Sequence, residues 1–146
     1  MAKKGLGLGK VLTKIGAFKK KSKSLKRIRG IESKYTESRI SSGCLAATSA
    51  LRLRPESVES ARRVIRRSLA KQGSVRIGVY PDLTVSEKPK GVRMGKGKGQ
   101  PKYVANCVKK GRILFEIEDL DKVFLAKRAF DKAKKKLPLK SSVFFL

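Results

Sequence analysis

Every cation beyond charge balance makes a compact chain repel itself, and this sequence carries a large excess. Thirty-eight Lys and Arg oppose eleven Asp and Glu, a net charge of +27 over 146 residues. Solubility needs far less, so such a chain folds best with its charges turned outward against a large polyanion. RNA or DNA fits that description first and an anionic membrane second. The length suits one domain with a tail, and a domain of this size buries roughly 68–70% of its unfolded surface without staples. Cys44 and Cys107 match no metal or redox spacing and read as reduced and structural. The absence of histidine removes the commonest acid–base residue and the commonest nitrogen ligand. No apolar run approaches the ~18 residues of a membrane span. The expectation is a chain with no catalytic residue, metal site, cofactor, small-molecule substrate or membrane partner.

The charge is uneven. Residues 1–30 hold nine Lys, two Arg and no acid, and Glu32 is the first negative charge. Leu8, Val11, Leu12, Ile15 and Phe18 fall near helical spacing opposite Lys10 and Lys14. A cleaved mitochondrial presequence, a membrane-surface helix and an RNA-binding extension all fit this pattern. The chain retains the segment from Met1, which favours an extension pinned against something highly charged. Lys19, Lys20, Lys21, Arg27 and Arg29 are its candidate RNA contacts. Residues 1–42 are set apart as a basic extension, and 43–146 as the folded domain.

Residues 31–53 carry no clear pattern. From Pro55 to Lys71 the spacing predicts a helix, with Pro55 in the first turn, Glu56 and Glu59 near the positive end and Gly73 as a stop. Val58, Ala61, Ile65 and Leu69 form its apolar stripe, flanked by Arg62, Arg63, Arg66 and Arg67. Val75, Ile77 and Val79 alternate as in a half-buried strand. Pro81-Asp82 turns the chain into a polar stretch, Thr84 to Pro89. Tyr103–Val108 and Arg112–Ile117 read as strands joined in a hairpin by Lys109-Lys110-Gly111. A second helix is expected from about Asp121 to Lys136, stopped by Pro138, with a short strand in the tail. Two main helices with a mixed, largely antiparallel sheet make a two-layer α+β sandwich.

Gly91 to Gly99 is the most informative stretch. Alternating Gly and Lys packs poorly, but it lets a backbone approach phosphates while Arg93, Lys96 and Lys98 neutralise them. A solvated flexible loop is the alternative, and the overall charge favours phosphate contact. It is no nucleotide-binding loop, because Lys96 and Lys98 are followed by Gly rather than Ser or Thr. Four arginines against two acids leave most of the first helix's cations for RNA, although Glu59 can pair with Arg63. Glu116, Glu118, Asp119 and Asp121 lack oxygen-cage spacing, and Asp119 or Asp121 suits the cap of the second helix better than a metal.

Five stretches together resemble the ribosomal large-subunit protein L-sixteen family: Val58-Glu59-Ser60-Ala61-Arg62-Arg63; Val79-Tyr80-Pro81-Asp82 with Glu87-Lys88-Pro89; Val92 to Gly99; Gly111-Arg112-Ile113-Leu114-Phe115-Glu116; and Lys136-Leu137-Pro138-Leu139-Lys140. They occur in the family's order and spacing over about Gly43 to Phe145. The resemblance implies a two-layer α+β domain bound to large-subunit ribosomal RNA, near the aminoacyl- and peptidyl-tRNA sites. It implies a structural role in late assembly and tRNA placement, beside neighbouring ribosomal proteins. Lys88 joins the RNA-binding candidates, and Arg93, Met94, Gly95, Lys96, Gly97, Lys98 and Gly99 map to the loop that reaches functional RNA and transiently bound tRNA. The basic segment Met1–Arg29 differs from the bacterial amino terminus, Arg54 stands where a helix-capping Thr is usual, and Val104 replaces an aromatic. These departures point to a mitochondrial ribosome, with a plastid or bacterial cytoplasmic one as alternatives. The rival function is a histone-like or nucleoid packing protein, which would bind duplex DNA as well as folded RNA.

Overall fold

The computed structural model describes residues 28–34, 36, 43–70, 72–95, 97–118 and 122–145. In chain order these form β1 (Gly43–Ala47), β2 (Leu51–Leu53), α1 (Pro55–Ser68), β3 (Ser74–Ile77), β4 (Leu83–Glu87), β5 (Gln100–Val108), β6 (Ile113–Glu118), α2 (Val123–Lys134) and β7 (Ser141–Phe144). The α+β expectation holds, with the sheet divided in two. One sheet has the order β3-β6-β1-β7 and the other β2-β5-β4. Every pairing between these strands is antiparallel.

The hairpin expected between Tyr103–Val108 and Arg112–Ile117 does not form. β5 pairs with β2 and β4, whereas β6 pairs with β1 and β3. Lys109-Lys110-Gly111 is instead the corner at which the chain passes from one sheet to the other. The partnering stretch of chain turns the same corner between β1 and β2. There Ala47 N donates to Arg112 O at 2.8 Å and Gly111 N to Ala47 O at 2.7 Å. Ala46 pairs with Ile113 before the corner and Leu51 with Val108 after it, so one long ribbon is bent across both sheets. Gly111, at φ +88°, supplies the left-handed residue that the bend requires.

Both helices pack on one face of the four-stranded sheet. Val58, Ala61, Ile65 and Leu69 of the first helical segment meet Ala126, Ala129, Phe130 and Ala133 of the second, over Leu45, Phe115 and Ile117. The small alanines of α2 let its backbone come close, and Phe130 fills the gap, fully buried. α1 begins at Pro55 as expected and ends at Ser68, three residues before the forecast Lys71. The cap of α2 differs from expectation: Lys122 holds the position, with no side-chain cap bond, while Asp119 and Asp121 lie outside the described residues. The polar stretch after Asp82 is largely strand β4, in which Leu83 and Thr84 are buried. Gly78 lies where a Cβ would stand 2.5 Å from Ile113 O, so only glycine lets the end of β3 close on β6.

The amino-terminal segment is tied to the corner. Ile31 forms a parallel bridge with Lys110, and Glu32 N donates to Lys110 O at 2.8 Å. The Glu32 carboxylate accepts from Arg112 Nη1 at 3.1 Å. Arg112 Nη2 donates in turn to Gly78 O at 2.9 Å. Burial raises the Glu32 pKa, but the Arg112 hydrogen bond, the Lys34 and Ser33 amides and the guanidinium charge outweigh it and leave the carboxyl below its ordinary value.

Candidate nucleic-acid interface

The Gly/Lys loop is the tip of the hairpin made by β4 and β5, which pair from Leu83↔Ala105 to Glu87↔Gln100. Its base is tight. A Cβ on Gly99 would stand 2.5 Å from Glu87 O, so the two strands cross here at a distance only glycine allows. Glu87 also pairs with Lys102 across the hairpin. Further out, Lys88 Nζ donates to Gly95 O at 2.6 Å and so folds the loop back over its own root. Gly91, Gly95 and Gly97 sit at φ +86°, +98° and +75°, a region closed to most side chains. The loop thus has a defined course and buries almost nothing. Arg93 and Lys98 are exposed, as are Val92 and the wholly exposed Met94. Lys96 lies outside the described residues.

The α1 arginines divide into two pairs. Glu59 accepts from Arg62 Nη2 at 2.7 Å and Nε at 2.8 Å, and from Arg63 Nε at 2.9 Å. The Arg62 hydrogen bonds do most to hold the Glu59 carboxyl at about 2; burial opposes them, and Arg63 adds to them. Arg66 and Arg67, in the last turn, are exposed and take no ion-pair partner among the described residues. They are the two α1 arginines not engaged by Glu59. Arg54 serves the helix differently from the usual capping Thr. It makes no side-chain cap bond, and its guanidinium lies 4.9 Å from the centroid of the Tyr103 ring.

Arg29 is exposed just before the docked segment, whereas Lys19, Lys20, Lys21 and Arg27 fall outside the described residues. Glu118, the last residue of β6, is engaged by Arg76 Nε at 3.1 Å and by Ser74 Oγ at 3.1 Å. Among the described residues no group of three or more His, Cys, Asp or Glu could hold a metal. No described helix is long and apolar enough to cross a membrane.

The sequence of this domain matches the model of a known protein family. The model of that family, described as Ribosomal protein L16p/L10e, covers residues 14–144. The chain belongs to it. Large ribosomal subunit protein uL16 of Rhodospirillum centenum is 45% identical over 115 residues, 79% of this chain and 81% of that protein. The uL16 of Sphingopyxis alaskensis is 44% identical over 117 residues, covering 80% and 81%. Large ribosomal subunit protein uL16m of Prototheca wickerhamii is 42% identical over 124 residues, covering 85% and 90%. The family match begins at residue 14, inside the basic extension.

The structure adds two features to the basic surface. Lys88, an RNA-binding candidate, also donates to a backbone carbonyl seven residues away, a bond that no spacing rule signals. The second is the outward face of α2, where Lys127, Arg128, Lys132 and Lys135 are all exposed. Its signal lies in the sequence, because these residues alternate at helical spacing with the buried Ala126, Ala129, Phe130 and Ala133. The apolar half of that pattern predicts the helix and masks the basic half.

Proposed function

We propose that this chain is a structural constituent of the large ribosomal subunit that binds large-subunit ribosomal RNA and supports tRNA placement. The observation that carries this reading is the β4–β5 hairpin tip. The Lys88 brace and the close approach at Gly99 shape its root, Gly91, Gly95 and Gly97 take left-handed φ, and Arg93 and Lys98 are exposed. A loop shaped by its backbone and lined with cations suits a phosphate-rich surface it must approach closely. Arg93, Lys96 and Lys98 contact RNA there, and the tip from Arg93 to Gly99 reaches bound tRNA. Arg66 and Arg67 grip the RNA backbone from α1, with Arg62 and Arg63 steadied by Glu59. Residues 1–42, with Lys19, Lys20, Lys21, Arg27 and Arg29, form an RNA tether, and 43–146 form the body that neighbouring ribosomal proteins pack against. The role is structural, without catalytic turnover.

The ribosome is mitochondrial in this reading. Supporting it are Arg54 in place of a capping Thr, Val104 in place of an aromatic, and an amino-terminal segment unlike the bacterial one.

The test is co-sedimentation of tagged full-length chain with ribosomal subunits, followed by crosslinking from a photoreactive group at Met94. The expected result is recovery with large subunits and crosslinks to tRNA. A chain that distributes over duplex DNA and avoids the large subunit would overturn the reading in favour of a packing protein.

A further inference from the structure

The exposed face of α2 has a composition of its own. Phe124, Lys127, Arg128, Asp131 and Lys135 follow one another at one- to four-residue steps that keep them on one side of the helix, with Lys132 beside them. Phe124 is 67% exposed, an unusual position for a phenylalanine that has a core within reach. Asp131 is the sole acid within α2 and is already held by Lys134 Nζ at 3.2 Å. Four exposed cations therefore follow along the helix from a bare aromatic ring in its first turn. Local pairing does not account for them, and a solvated face does not account for the ring. Acids would be expected if the partner were a basic surface. An aliphatic stripe would be expected if it were a lipid or a second helix.

We propose that this face is a second RNA-docking surface, on which Lys127, Arg128, Lys132 and Lys135 grip phosphates and Phe124 stacks against an unpaired base. It rests on the ribosomal-RNA reading above but uses a different part of the molecule. α2 packs on the four-stranded sheet beside β1 and β7, whereas the hairpin tip extends from the other sheet. At 12 residues α2 is about 18 Å long, enough to follow several successive phosphates. Cations that track a backbone, combined with an aromatic platform, are the chemistry of single-stranded or looped RNA.

The test compares the full-length chain with the variant K127Q/R128Q/K132Q/K135Q, in binding to a large-subunit ribosomal RNA fragment at several salt concentrations. Gln keeps side-chain length and helix propensity, so the melting curve should be unchanged. If three of the four make phosphate contacts, the slope of log affinity against log salt should shrink by about 2–3. F124A alone should weaken binding by about fivefold or more with no change in slope. Amine acylation of the wild-type chain supplies a check that needs no variant: Lys127, Lys132 and Lys135 should be protected when RNA is bound. An unchanged slope with unprotected lysines overturns the α2 surface while leaving the proposed function standing. Failure of the wild-type chain to bind the RNA at all overturns both.

Discussion

Glu59 decides how many of the α1 arginines are available to a ligand. Its folded-state carboxyl lies at about 2, below the ordinary 4.5, so its contribution to stability is complete above pH 4.5 and is lost as pH falls towards 2. In Glu59→Gln two helical ion pairs disappear, at a cost of roughly 0.5–1 kcal/mol near neutral pH. Thermal melts of the two proteins should converge between pH 4.5 and 2; a constant gap would show that Glu59 acts by packing. At the hairpin tip, replacing Arg93, Lys96 and Lys98 together with Ala should leave stability within about ±0.5 kcal/mol per site. The salt slope of RNA binding should fall by roughly 0.7–0.9 for each phosphate the variant no longer neutralises. If instead the triple variant melts early and its surviving fraction still builds active subunits, the tip is structural. The exposure of Arg93 and Lys98 could be read from sequence because glycine alternation marks a loop whatever its shape. The Lys88 brace could not, because the position of its acceptor, Gly95 O, depends on the course of the loop and not on spacing along the chain.

Elements whose burial follows their own periodicity were readable. α1 has Pro55 at its start and a stripe from Val58 to Leu69 that faces a single core, and it forms almost as expected. β4 was hidden because its tail, Ser86 to Glu87, is polar, and only Leu83 and Thr84 are buried. The connection at Lys109-Lys110-Gly111 misled for a physical reason. A short Gly-containing link suits a hairpin turn and a sheet-to-sheet corner alike, and the choice is made by Ala47, more than sixty residues earlier, which bonds to both Gly111 and Arg112. At that corner Glu32 and Arg112 form a pair whose side chains are only 10% and 16% exposed. Glu32→Gln should cost roughly 1.5–3 kcal/mol, read from a urea midpoint, because Arg112 keeps Gly78 O but loses its counter-charge. No loss would mean that the Ile31–Lys110 bridge alone anchors the segment. Removing residues 1–29 should spare this anchor and leave the midpoint unchanged. It deletes eleven cations, so RNA affinity should fall and its salt dependence should weaken. An unchanged salt slope would assign the extension to a protein partner.

At the scale of the whole molecule, a net +27 is tolerable because the helices and the hairpin tip carry cations on their outer surfaces while the core stays apolar. Purified chain should show no turnover on nucleotides, RNA or peptides; turnover abolished by one substitution would end the structural reading. The order in which strands meet has a consequence for synthesis. β1 is an inner strand of its sheet, yet its two neighbours, β6 and β7, are the last strands to be made, and Cys44 waits for Phe144. At about 5–20 residues per second, the hundred residues between them take roughly 5–20 s to appear. Through that interval β1 is already made while the sheet it belongs to cannot close. An RNA tether of the kind proposed would therefore be made well before the core it is attached to.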